Sequence, residues 1–267
     1  MKTQARYRAI IIILAAAVII EGIVIFSLVI FRPKKRIIKL KPPVVRTEKG
    51  KIAIVIDDWG YNLNNLVLLK QIKYPLTLAI LPNLAYSKRI SQEAHVLGFE
   101  TILHLPMEPR EKVRLEQNTV MTGMDSLAVK DILVSDLGSI DYVKGVSNHM
   151  GSAAIGDPAV INVIFSELKK RRMYFLDSYV SSQDITRNLA IKMNLGFARR
   201  NVFLDNKDEP QYIKEQIFQL KIKAKNYGRA IGIGHDRKST LEVLKEVMPQ
   251  LEKEGYKFVF VSELLRQ

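Results

Sequence analysis

The chain contains no cysteine. A disulfide framework, a thiolate metal site and a cysteine nucleophile are therefore excluded, although the compartment is left open. Tryptophan occurs once and histidine four times in 267 residues, so the position of each is informative. There is no arginine-rich tract and no interleaving of basic and aromatic residues, which argues against a nucleic-acid partner. The formal net charge of +14 does not change this, because it is unevenly placed. Residues 1–49 carry 11 Lys/Arg against 2 Glu, and the remainder carries 30 Lys/Arg against 25 Asp/Glu.

The basic excess surrounds an apolar run, Ala9–Phe31, "AIIIILAAAVIIEGIVIFSLVIF". It is long enough to cross a bilayer as one helix. Glu21 near its middle costs a few kcal/mol on insertion scales, which the surrounding Ile, Leu and Val offset. The run exceeds a typical signal-peptide core, and no A-x-A-like site follows it. An uncleaved anchor over 9–31 is therefore expected, between a basic N-terminus (1–8) and a basic, Pro-containing linker (32–50). Lys2, Arg6 and Arg8 precede the span, and Arg32, Lys34, Lys35, Arg36, Lys39 and Lys41 follow it. A plain charge count would keep the following domain cytoplasmic, but long domains translocate largely regardless of such charges. The expectation is a single-pass membrane protein with an extracytoplasmic domain over 51–267.

After residue 50, strand-like and helix-like segments alternate. Strands are expected at Ile52–Ile56, Thr77–Leu81, Glu100–Leu103, Tyr142–Ser147, Met173–Leu176, Gly196–Leu204, Ala230–Ile233 and Phe258–Val261. Helices are expected between them, opened by Asp125 and by Asp157-Pro158, both good start signals. The alternation implies parallel strands joined by right-handed crossovers. Seven or eight of them indicate a closed or nearly closed (β/α) barrel, with an open doubly wound sheet as the alternative.

The strand ends collect the scarce residues. Asp57-Asp58 end the first strand, His104 the third, Asn148-His149 the fourth and Asp177-Ser178 the fifth. Asp205 ends the sixth and His235-Asp236 the seventh, while His95 falls within a helix. In a parallel barrel these ends share the face where active sites are built. Capping of strands by polar residues explains any one of them, but less well the gathering of three histidines. Adjacent Asp57 and Asp58 are expected to point in different directions, one into the mouth and one along the rim. Asp and His together suit Zn²⁺ or a similar divalent ion. Such an ion would also relieve the repulsion between neighbouring carboxylates.

The motifs "IDDWG", "LHLPMEP", "SNHMGS", "FLDS" and "GIGHD" occur in this order. Over most of Lys51–Leu265 the chain resembles the divergent polysaccharide deacetylases, a distant branch of the NodB-like carbohydrate esterases. The resemblance implies a distorted (β/α) barrel of about seven parallel strands. It also implies metal-dependent removal of acetyl groups from a glycan of the cell envelope. Asp57 then corresponds to the catalytic base, Asp58 and His104 to metal ligands, and His235 to the general acid. NodB-type enzymes place a second histidine four residues after the first, where this chain has Glu108. His149 is expected to complete the metal site instead, with Glu108 and Asn148 as supporting partners. Asp177 is expected beside His235, orienting it or raising its pKa. The usual arginine–proline motif is not evident, so the oxyanion would be stabilised by the metal and backbone N–H groups. Trp59 and Tyr61 are candidates for stacking on a sugar or for packing the first loop. The competing expectations are a catalytically inactive glycan-binding or scaffold protein on the same barrel, and a metal-dependent phosphoesterase. The second lacks a phosphate-binding glycine loop.

Overall fold

The computed structural model describes residues 2–30, 48–180 and 184–265, in two units that divide near residue 45. Most of the expected linker, residues 32–47, lies outside the described residues. The first unit contains helix α1 (Lys2–Ile30). Within it, Ile10–Leu28 is long and apolar enough to cross a membrane, and none of that window is buried.

The second unit alternates strand and helix as the sequence pattern requires. Its strands are β1 (Gly50–Trp59), β2 (Thr77–Ile80), β3 (Glu100–Met107), β4 (Val143–Met150), β5 (Tyr174–Asp177), β6 (Phe197–Arg199), β7 (Val202–Phe203), β8 (Arg229–His235) and β9 (Tyr256–Phe258). The intervening helices are α2 (Leu66–Leu69), α3 (Ser87–Val96), α4 (Ser126–Gly138), α5 (Pro158–Arg171), α6 (Ile185–Met193), α7 (Pro210–Tyr227) and α8 (Lys238–Glu254). Both expected helix starts are used. Asp125 accepts a hydrogen bond from Ala128 N, and Asp157 accepts from Ala159 N and Val160 N ahead of Pro158.

The strand pairings along the sheet are parallel, in the order β6-β5-β4-β3-β2-β1-β8-β7, with β9 added beside the start of β1. The sheet curls into a barrel that stays open between β6 and β7. The sequence pattern places one strand over Gly196–Leu204, whereas the chain forms two short ones there. They belong to opposite edges of the sheet. Arg200 N donates to Asp177 O, and the next amide, Asn201 N, donates to Ile231 O on the far side of the opening. The chain thus steps across the gap in a single residue.

Alternation along the strands sorts the core into two layers. Ala53, Val55, Ala79, Ile102, Leu176, Ala198, Ile231 and Ile233 form one apolar cluster inside the curl. Ile52, Ile54, Ile56, Leu103, Val146 and Phe175 join a larger cluster with the surrounding helices. The inner layer is rich in alanine because a curled sheet leaves little room. Gly145 shows the same crowding. A Cβ there would lie 2.8 Å from the Tyr174 ring, and the Tyr174 hydroxyl donates to the buried Glu100 carboxylate at 2.8 Å. Gly145→Ala is expected to lower stability by about 1–3 kcal/mol, the usual cost of overpacking a core. Chemical denaturation of the two proteins checks this, and equal midpoints would contradict it.

Candidate metal centre

The inward set of each strand, continued to its C-terminal end, builds the site. On β1 the set Ala53, Val55 leads to Asp57, which is 3% exposed. On β3, Ile102 leads to His104, and on β8, Ile231 and Ile233 lead to His235. Asp57 and His235 are direct register partners across β1 and β8.

Asp58 should by alternation face away, but it does not. Its backbone is left-handed, with φ of 65°, and the β1–β2 register slips between Ile56 and Trp59. A non-glycine residue in this region costs on the order of 1–3 kcal/mol. The kink turns Asp58 back into the mouth, so the two carboxylates converge. Asp58 Oδ1 lies 3.3 Å from His104 Nε2 and 3.0 Å from His149 Nδ1. Asp57 Oδ2 lies 3.6 Å from His104 Nε2. The expectation that the pair would diverge is thereby corrected.

Asp58, His104 and His149 offer one donor atom each, all within 4.8 Å of one another. Asp57 Oδ1 and Asp58 Oδ1 are buried without an aligned hydrogen-bond donor. A buried carboxylate oxygen, Asp58 Oδ1, facing two imidazole nitrogens is what a divalent cation would satisfy, so this donor set fits one. The other nitrogen of His104, Nδ1, lies 2.8 Å from Ser147 Oγ. A proton on Nδ1 donated to that hydroxyl leaves the Nε2 lone pair facing Asp58, the usual arrangement of a metal-binding imidazole.

The charges are strongly coupled. Burial raises Asp57 above the ordinary carboxylate range, and the Asp58 charge adds to this against the opposing imidazoles. Burial would raise Asp58 too, but the contacts with His104 and His149 outweigh it and hold this carboxyl well below that range. Burial would lower His235, whereas its hydrogen bond to Asp205 and the nearby Asp58 and Asp57 charges raise it overall.

The carboxylate beside His235 is Asp205, which corrects the placement of Asp177. Asp205 Oδ1 lies 2.9 Å from His235 Nδ1, and Oδ2 accepts from His235 N at 2.8 Å and Thr240 Oγ1 at 2.7 Å. Asp177 belongs to the outward set of β5 and turns toward α6. There it accepts from Thr186 Oγ1 at 2.8 Å and Arg199 Nε at 3.0 Å. Phase on the strand separates the two: Asp205 lies two residues beyond inward-facing Phe203, and Asp177 two beyond outward-facing Phe175.

Other candidates are also redirected. Asn148 accepts from Ser178 N and donates to Met150 O, tying the ends of β4 and β5 together. Glu108 accepts from Thr122 N and Thr122 Oγ1, bracing the loop that follows β3. Trp59 is fully buried and packs in the core, so it offers no face to a sugar. Tyr61 is 48% exposed, and its hydroxyl donates to Glu116 on the 109–123 loop. No sequence motif points to Arg200. Its half-buried guanidinium donates to Ser178 O and Tyr179 O. Burial lowers its pKa, and the Asp57 and Asp177 charges oppose this.

A family model described as divergent polysaccharide deacetylase matches residues 54–265. An uncharacterised protein of Haemophilus influenzae is 30% identical over 206 residues, covering 77% of this chain and 74% of that protein. The uncharacterised protein YibQ of Escherichia coli is 31% identical over 215 residues, covering 80% of this chain and 66% of the relative. Among solved structures, an uncharacterised protein from Agrobacterium tumefaciens C58 superposes with a TM-score of 0.75 at 21% identity, covering 82% of this chain and 90% of that one. A peptidoglycan N-acetylglucosamine deacetylase superposes with a TM-score of 0.50 at 11% identity, covering 82% and 88%. These two structural likenesses concern the fold.

Asp205→Asn removes the charge that favours the His235 imidazolium and is expected to lower the His235 pKa. Asp177→Asn is expected to leave it unchanged. Imidazole NMR titration of the metal-free protein distinguishes the two, and the opposite ranking would return Asp177 to the site.

Proposed function

The chain belongs to the divergent polysaccharide deacetylase family, and from that premise we propose that it is a metal-dependent hydrolase removing acetyl groups from a cell-envelope glycan. The observation that carries this reading is the convergence of Asp58, His104 and His149 beside Asp57, with His235, held by Asp205, adjacent on β8. Asp58, His104 and His149 would hold the cation, most simply Zn²⁺ given one carboxylate and two imidazoles. Such an ion supplies Lewis-acid polarisation of an acetyl carbonyl and neutralises the neighbouring carboxylates.

Asp57 is the base of this proposal. Its burial favours proton uptake, and it accepts the proton of the attacking water. His235 acts as the acid. Asp205 fixes Nδ1, so Nε2 carries the proton that passes to the departing amine or alkoxide. Tyr61 and the 109–123 loop, joined through Glu116, form one wall for the glycan. The α1 helix anchors the protein in a membrane, and the domain faces the extracytoplasmic side where envelope glycans lie. That side rests on the substrate reading.

The alternative is a glycan-binding protein without turnover, and Glu108 favours it, because the histidine expected at its position is missing. The presence of His149 as a third donor favours the hydrolase. Metal analysis of the purified protein is expected to find about one divalent ion per chain, with affinity reduced about tenfold or more in His104→Ala and in His149→Ala. Equal occupancy in all three proteins would overturn the metal assignment. Asp57→Asn is expected to retain the ion and lower acetate release from an acetylated glycan by about 100- to 10,000-fold. Glycan binding with no acetate release by the metal-loaded wild type would establish the non-catalytic reading instead.

A further inference from the structure

The opening between β6 and β7 is lined in a way that barrel packing does not explain. A cavity of about 430 Å³ runs into it between α6 and the start of β8. Ile191, Leu195, Phe197, Ile231 and Leu264 give it apolar walls, interrupted by Asn194 and Asn201. Four arginines surround them: Arg187, Arg199, Arg200 and Arg229. Of these, Arg199 is paired with carboxylates, Asp177 and Asp184. Arg200 and Arg229 donate to backbone carbonyls. Arg187 makes no side-chain hydrogen bond or ion pair among the described residues. At the edge, Ile191 and Tyr227 are 69% and 75% exposed. On β1, β2 and β3, by contrast, Ile54, Val55, Leu78, Ile80 and Leu103 are at most 1% exposed.

An apolar slot with a cationic rim matches one chemistry. Arginine guanidinium groups recognise carboxylate and phosphate oxygens through paired donors, and an apolar cleft of this size buries a hydrocarbon chain. We propose that the seam is a binding site for a single-chain anionic amphiphile. The acyl chain enters between Ile191 and Ile231, and the anionic head meets Arg187 and Arg229. The bilayer-length apolar helix α1 supports this occupant, because a chain anchored by it, as proposed above, shares its surroundings with such molecules. An acidic peptide would satisfy the arginines but would not require a slot reaching the barrel interior. The site is separate from the histidine cluster and does not depend on the deacetylase reading.

The test uses the full chain reconstituted in phosphatidylcholine vesicles. Three photoactivatable probes, each carrying a diazirine in the chain, are added separately: a palmitate, a lysophosphatidate and an uncharged palmitoyl alcohol. Adducts are mapped by peptide mass spectrometry. Labelling of peptides spanning residues 185–204 and 227–231 is expected from one or both anionic probes, and the stronger one identifies the head group. Arg187→Glu and Ile191→Asp change exposed positions and are each expected to reduce that labelling about fivefold or more, with the thermal unfolding temperature of the domain retained. Equal labelling by the uncharged probe, labelling confined to α1, or undiminished labelling of both variants would each overturn the proposal.

Discussion

Two adjacent carboxylates in one barrel mouth repel each other, and the rest of the site is arranged around that repulsion. Asp57 reaches the mouth through ordinary strand alternation. Asp58 reaches it only because its backbone turns left-handed at the end of β1. The strain and the repulsion are tolerated because two imidazoles face the same point. His104 and His149 both approach Asp58 Oδ1, and their donor atoms complete a cation-sized cluster. The division of labour between the carboxylates follows from burial. Asp57 is closed off and shifted upward, whereas Asp58 is held ionised by its partners.

Parallel strands produce this gathering directly. The same two-residue period that sends Val55, Ile102 and Ile233 into the narrow inner core sends Asp57, His104 and His235 into the mouth one step later. Neighbours of opposite phase become structural. Asn148 fastens β4 to β5, and Asp177 fastens β5 to α6 and β6. Identical residue types at equivalent strand ends thus take different roles, set by which way the strand happens to face. His235 shows how closely the two are linked, since its partner Asp205 follows β7, the edge strand paired directly with β8.

The sheet stays open between β6 and β7 because each of these strands pairs on one side alone, β6 with β5 and β7 with β8. Three-residue β6 and two-residue β7 are joined through Arg200 and Asn201, whose amides are directed to opposite sides. The opening leaves a partly apolar cavity ringed by arginines.

Much of this architecture is legible in the order of the amino acids. Strand and helix alternation, the helix starts at Asp125 and Asp157, and the strand-end gathering of His104, His149 and His235 are local patterns, and local patterns follow from periodicity and capping. The splitting of Gly196–Leu204 into two edges is not legible there, because pairing partners are chosen by the whole sheet. Nor is the exchange of Asp177 for Asp205, since both end a strand and only the phase, fixed by three-dimensional packing, distinguishes them. Trp59 illustrates the same limit: an aromatic beside two carboxylates reads equally as a sugar platform or as core, and burial alone separates the two. Which chemical groups arrive at the barrel mouth is written in the chain, because strand ends are set by nearby residues. Which of those groups meet is settled only on folding, because a left-handed turn at Asp58 and an unclosed seam depend on contacts between residues far apart in the chain.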